Sequence, residues 1–269
     1  MSRTEQIMRN ARAQGRAALV GYLPAGYPTV DGSVELLTAL GEGGCDLLEI
    51  GLPYSDPVMD GPTIQRAVDT ALRAGTRIRD VLRVVERVAA AGCAVVVMTY
   101  YNPVLRYGVE AFARDLASAG GLGAITPDLI PDEADEWLAA SDAHQLDRIF
   151  LVAPSSSDQR IAATAAATRG FLYAASTMGV TGARDEVAAA APQLVARCRM
   201  HTQLPIGVGL GVRSADQAAE VATFADAVIV GSAFVTAAES GGATGVRSLA
   251  ASLAEGARRG DPASVPQSV

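Results

Sequence analysis

The chain has 269 residues, 49% of them hydrophobic, and carries 22 basic against 29 acidic residues for a formal charge of −7. That is core material for one large domain or two small ones. It lacks both the basic face that nucleic acid requires and any apolar run near the ~20 residues of a membrane helix. All 22 basic residues are arginine, so this chain can form neither a Schiff base with a carbonyl substrate nor a covalent bond to pyridoxal phosphate.

From the N-terminus, MSRTEQIMRNARAQGR places charges where an export signal needs its apolar stretch, and reads instead as an amphipathic helix. Cys45, Cys93 and Cys198 lie far apart without CxxC spacing, as in a reduced cytoplasmic protein. Aliphatic runs then recur: ALVGYLP from Ala18, DLLEIGLP from Asp46, AVVVMTY from Ala94 and LGAITPDL from Leu122. They continue with RIFLVAP from Arg148, FLYAAST from Phe171, PIGVGLGV from Pro205 and DAVIVGSA from Asp226. Segments of helical spacing separate them, such as VLRVVERVAAAG and AFARDLASAGG, each stopped by glycine. Continuous apolar strands alternating with helices predict a parallel sheet covered by helices, and eight equal units predict a (β/α)₈ TIM barrel. No linker divides the chain. The expectation is one barrel over residues 1–257 and a loose tail over 258–269.

Barrel chemistry belongs where strands run into their following loops. His144 and His201 precede the fifth and seventh predicted strands, Cys45 and Cys93 precede the second and third, and Cys198 sits in a helical stretch. Histidine, thiol and metal mechanisms therefore have no residues at the right end, and no metal is expected.

Carboxylates are at that end, in EIGLPYSDPVMDGPTIQ. Strand alternation puts Leu47, Glu49 and Gly51 on one face and Leu48 and Ile50 on the other, so Glu49 is expected to point into the barrel. A buried carboxylate has a raised pKa, which suits acid and base work near neutrality. A purely structural glutamate, hydrogen-bonded to a neighbouring strand, is the alternative. Asp60 follows the same strand and is the next candidate, although both Asp56 and Asp60 are open to reading as turn or helix-cap residues. The same alternation can turn Tyr22, Met98, Tyr100, Ile125 and Tyr173 inward, as core or as the lining of a flat apolar pocket. The seventh and eighth strands end GVGLGVRS and VIVGSA, where phosphate-binding barrels hold their anion on backbone N–H groups. Gly211, Gly231 and Ser232 are the candidates, with Gly182 of TMGVTGARDE as a lid; turns required by topology alone are the alternative.

The chain resembles the tryptophan synthase alpha subunit family from about Arg3 to Ala254, most specifically in LLEIGLPYSDPVMDGPTIQRA, TMGVTGAR, GVGLGVRS and VIVGSA. The resemblance implies cleavage of indole-3-glycerol phosphate to indole and glyceraldehyde 3-phosphate without metal or cofactor in this chain. It implies Glu49 as the acid and base at indole C3 and the side-chain hydroxyl, Asp60 as the partner of the indole N–H, and Tyr173 beside them. Tyr22, Met98, Tyr100, Ile125, Thr181 and Leu210 match substrate-lining positions, with Tyr22 and Leu210 where phenylalanine is common. It further implies an α₂β₂ complex with a beta subunit that carries pyridoxal phosphate and receives the indole. Pro53, Asp56 and Asn102 lie where that contact would form. Two other readings stay open: a catalytically weak barrel that chiefly activates a beta-type partner, and another phosphate-binding barrel enzyme. Rivals that depend on a catalytic lysine are excluded.

Overall fold

A computed structural model describes residues 1–175 and 184–260, the side chains of 184–189 excepted. Its strands are β1 (Ala18–Pro24), β2 (Leu47–Gly51), β3 (Val95–Met98), β4 (Gly123–Ile125) and β5 (Asp147–Ile149). They continue as β6 (Leu151–Val152), β7 (Leu172–Ala175), β8 (Ile206–Gly209) and β9 (Ala227–Val230). Every pairing is parallel, in the order β5-β4-β3-β2-β1-β9-β8-β7-β6. The two ends of that order are one run of chain. β5 bonds β4 on one side, β6 bonds β7 on the other, and the Tyr173 N–H donates to the carbonyl of the intervening Phe150 at 3.1 Å. The sheet thus closes on itself as a barrel. The sequence reading of eight strands is corrected in one detail: the fifth breaks at Phe150, whose side chain packs into the helix-facing layer.

Two apolar layers follow from strand alternation. Leu48 and Ile50, with the helices, form the outer layer. Val20, Leu47, Val96, Ile125, Ile149, Phe171 and Ile229 form the inner one. The strands read as unbroken apolar runs because both of their faces are covered.

The first helix, α1 (Arg3–Ala13), plugs the end of the barrel where the strands begin, inserting Met8 and Ala11 into the inner layer. Buried aspartates at the strand starts hold it there. Asp147 accepts from the Thr4 N–H at 3.2 Å and the Thr4 hydroxyl at 2.5 Å, and Asp226 accepts from Arg12 at 2.9 Å. This end of the barrel is closed by α1.

α2 spans Val30–Glu42, α3 Pro62–Arg73, α4 Ile78–Ala90 and α5 Tyr101–Tyr107. The remainder are α6 (Val109–Ser118), α7 (Asp135–Ala143), α8 (Asp158–Ala167), α9 (Arg184–Arg199), α10 (Ala215–Ala222) and α11 (Ser232–Arg259). Left-handed glycines terminate the two helices picked out in the sequence: Gly92 (φ 89°) follows α4 and Gly120 (φ 85°) follows α6. α11 is kinked at Gly242 and reaches two residues past the expected domain boundary; residues 261–269 of the expected tail lie outside the described part. Among the described residues no helix is long and apolar enough to cross a membrane.

Candidate active site

At the open end of the barrel the inner layer gives way to a cavity of about 370 Å³. Glu49 forms part of its floor. In register, its neighbours are Tyr22 on β1 and Val96 on β3, and it shares the inward face of β2 with Leu47. The side chain is 2% exposed, and among the described residues its Oε2 has no hydrogen-bond partner. Burial, reinforced by the negative charge of Asp60, pushes the Glu49 pKa up to about 8. A buried polar atom left unpaired is costly, and the residue that carries it lines the cavity.

Asp60 comes from the loop between β2 and α3. That helix opens with Gly61 as N-cap and Pro62 in its first turn, and no side chain caps it, so the carboxylate of Asp60 is not spent on capping. The Asp60 backbone carbonyl instead accepts from the Gln65 side chain at 2.8 Å. Partial burial raises the Asp60 pKa to about 6. Near neutrality the site therefore holds one protonated and one ionised carboxyl group, separated by depth of burial.

Tyr22 and Tyr173 stand on either side, and burial holds both phenols well above their usual pKa. Each hydroxyl fits because a neighbouring strand offers glycine. A Cβ at Gly51 would lie 2.3 Å from the Tyr22 hydroxyl, and one at Gly209 would lie 2.7 Å from that of Tyr173. Ile64 of α3, Met98, Leu151 and Ile229 supply apolar wall.

Another part of the lining is backbone. Gly211 (φ 64°), Gly231 and Ser232 line it, and Gly231 is the N-cap of α11, so the unpaired first-turn N–H groups of that helix begin at the cavity. Arg213, which follows Gly211 and Val212 in the chain, also lines the cavity. A cavity that combines two carboxyls, apolar wall and backbone N–H donors has the makings of a site for a flat apolar group joined to an anion.

The sequence-predicted residues divide as follows. Glu49, Asp60, Tyr22, Tyr173, Met98, Gly211, Gly231 and Ser232 meet at the cavity. Ile125 is sealed in the inner layer beneath it. Leu210 turns to the outer layer, because Gly209 takes the inward place at the end of β8. Tyr100 stands behind the loop that carries Asp60, accepting from the N–H groups of Val58 and Met59. Thr181 and Gly182 lie outside the described residues. Pro53 and Asn102 border a separate surface groove of about 660 Å³, where Asn102 donates to the Tyr54 hydroxyl at 3.0 Å. Asp56 accepts from Ser55 at 2.6 Å nearby on the exposed loop.

Neither histidine is at the cavity: the Nε2 of His144 lies 2.6 Å from Glu110, and His201 follows α9. Among the described residues no three His, Cys, Asp or Glu side chains gather as metal ligands. The sequence reading missed Leu151, Ile64 and Ile229 as wall residues. Alternation from Ile149 and from Ala227 carries a signal for two of them, but Ile64 depends on how α3 leans over the barrel.

The comparisons fall into line with this geometry. Residues 8–259 match the family model described as tryptophan synthase alpha chain. The tryptophan synthase alpha chain of Mycobacterium tuberculosis (strain H37Rv) is 63% identical over 259 residues, covering 96% of this chain and 96% of that protein. The alpha chain of Mycobacterium avium (strain 104) is also 63% identical, over 258 residues, covering 96% and 95%. A solved structure of M. tuberculosis tryptophan synthase superposes with a TM-score of 0.91 at 63% identity, covering 96% of this chain and 98% of that one. The crystal structure of the alpha subunit from Legionella pneumophila str. Paris still gives 0.83 at 33% identity, covering 96% and 98%. With barrel, cavity and sequence in agreement over nearly its whole length, the chain belongs to the tryptophan synthase alpha chain family.

Proposed function

We propose that Glu49 and Asp60 carry out the family's reaction in this chain, the retro-aldol cleavage of indole-3-glycerol phosphate. Indole is a poor carbanion leaving group, so C3 must be protonated before the C–C bond breaks. Glu49, still protonated near neutrality, donates its proton to C3. The ring becomes an indolenine cation, whose N–H is held by the Asp60 carboxylate. Glu49, now a carboxylate, removes the proton from the hydroxyl beside the ring. The C=O bond forms, the C3–C bond breaks with its electron pair returning to the ring, and indole and glyceraldehyde 3-phosphate result. Acid–base help of this type is worth roughly 10²–10⁴-fold per group.

The observation that carries the assignment is the buried Glu49 carboxyl of the cavity lining, its Oε2 without a partner among the described residues and its pKa raised to about 8. Gly211, Gly231 and Ser232 hold the phosphate through backbone donors. Tyr22, Met98 and Tyr173 flank the ring, Ile125 and Leu210 back it from their own layers, and Tyr100 acts through the Asp60 loop.

Indole passes to the tryptophan synthase beta subunit for L-tryptophan synthesis, in an α₂β₂ assembly. Pyridoxal phosphate resides in that partner, in keeping with a lysine-free alpha chain. The groove bordered by Pro53 and Asn102, with Asp56 beside it, is the docking surface. The complex acts in the cytoplasm. Indole release by the purified chain with its beta partner tests the reading: wild type should turn over, while Glu49→Gln and Asp60→Asn should each lose at least ~10²-fold in kcat. Retained turnover in either variant would remove that residue from the mechanism.

A further inference from the structure

Among the residues lining the cavity, Arg213 is the one basic side chain, in a cavity that otherwise holds two carboxyls. Its place in the chain is fixed locally. The Arg213 N–H donates to the Gln217 side chain at 2.8 Å, while Ser214 caps α10 by accepting from the Gln217 N–H. The backbone is thereby held at both sides of residue 213 and the guanidinium is left over. Asp216, one helical turn further on, is already paired with Arg259 at 2.8 Å. Among the described residues the Arg213 guanidinium has no hydrogen bond or ion pair. An arginine that lacks a protein partner and borders a row of backbone anion donors has the planar, multidentate geometry for a phosphate.

We propose that Arg213 is a specificity-determining residue that recognises the charge of the substrate phosphate, so that this site reads a dianionic ester and not merely a hydrogen-bonding one. The inference rests on the phosphate placement given above. It has a physical motive in the cavity itself. A doubly negative substrate enters a site that already holds the ionised Asp60, in a chain of charge −7. Neutral N–H donors orient the ester but add no net charge. Arg213 supplies one at the cavity lining, and so attracts the substrate.

The effect should fall on binding, since the phosphate is unchanged between substrate and transition state. In the complex with the beta subunit, Arg213→Gln is expected to raise KM for indole-3-glycerol phosphate by ~3- to 10-fold with kcat within about twofold, the scale of one charge-assisted but solvent-exposed contact. Arg213→Lys should recover part of the loss. The rise of wild-type KM with ionic strength should flatten in the Gln variant. Cleavage of unphosphorylated indole-3-glycerol should not distinguish the two proteins. An unchanged KM in Arg213→Gln, or an equal loss with the unphosphorylated substrate, overturns the proposal. Calorimetry with glycerol phosphate separates it from the reaction itself. Weaker binding by the variant with no indole from wild type would sink the lyase assignment and leave the anion contact standing. Equal binding alongside normal turnover would do the reverse.

Discussion

The hydroxyl of Tyr100, at the end of β3, accepts a hydrogen bond from the Met59 N–H at 3.0 Å, and a second from the Val58 N–H at 3.1 Å. Its ring leans on Tyr54, with centroids 5.3 Å apart. The loop that ends in Asp60 is thereby tied to the next strand by one oxygen atom. Tyr100→Phe removes that acceptor while keeping the ring. We expect stability to fall by only about 1 kcal/mol, because the released N–H groups reach water. The kcat should fall several-fold more than KM rises, since Asp60 loses its position rather than its charge. Urea unfolding and steady-state kinetics on the same preparation check both; unchanged kcat would mean that the loop is positioned without Tyr100.

The two carboxyl groups set the pH profile. Asp60, with a pKa near 6, must be ionised, so activity rises through that pH; Glu49, near 8, must be protonated, so activity falls above it. The kcat/KM profile should be a bell with its maximum at about pH 7. Asp60→Glu should move only the acidic limb, which residual activity measured across the range would reveal.

Glu49 also makes stability depend on pH. Its pKa is raised in the folded state, from 4.5 to about 8, so the folded protein holds this proton more tightly than the unfolded chain does. The stabilisation is complete below pH 4.5 and is lost as pH rises through about 8, amounting to something on the order of 5 kcal/mol. Glu49→Gln carries no such ionisation. Its stability relative to wild type should therefore improve between pH 6 and pH 9 in denaturant titrations, even as its activity is lost. A constant difference across that range would show that Glu49 ionises in the folded protein without cost.

Gly51→Ala tests the close fit around Tyr22. The new Cβ would lie 2.3 Å from the phenol oxygen and 2.7 Å from its ring, driving the side chain into the cavity. Such overpacking costs about 1–3 kcal/mol, and KM should rise by ~10-fold. Adding Tyr22→Phe removes the nearest clash and should restore part of the loss; a double variant worse than Gly51→Ala would contradict this geometry.

At the opposite end of the barrel the expectation is the reverse, stability without chemistry. Asp226 is 2% exposed, accepts from the Ile206 N–H at 2.8 Å, and pairs with Arg12 at 2.9 Å and Arg199 at 3.2 Å. Asp226→Asn leaves those partners uncompensated and should lower the unfolding free energy by about 3–5 kcal/mol. The kcat per folded molecule should hold. A matching loss in kcat would mean that α1 communicates with the open end.

Much of this is legible in the amino-acid sequence. Strand parity alone turned Glu49 inward and Leu48 and Ile50 outward, because successive side chains on a strand must alternate, and apolar strands between helical stretches allow few sheets other than a covered parallel one. The absence of lysine removed Schiff-base chemistry at once. Position relative to the strands set the histidines aside. Tertiary structure decided what depends on distant pairing. Neighbouring strands divide the fifth run at Phe150 between two hydrogen-bonding partners, a division that no local pattern encodes. Leu210 faced outward because Gly209 ended its strand on the inner side, and Tyr100 served the Asp60 loop rather than the cavity because residues 42 and 41 positions earlier in the chain bring their N–H groups to its hydroxyl. Which arginine stays free is likewise set by which aspartates the fold delivers to the others. Periodicity is a property of a few adjacent residues, whereas the pairing of charges, the fit of Tyr22 against Gly51 and the raised pKa of Glu49 arise only when chain segments far apart in sequence exclude water together.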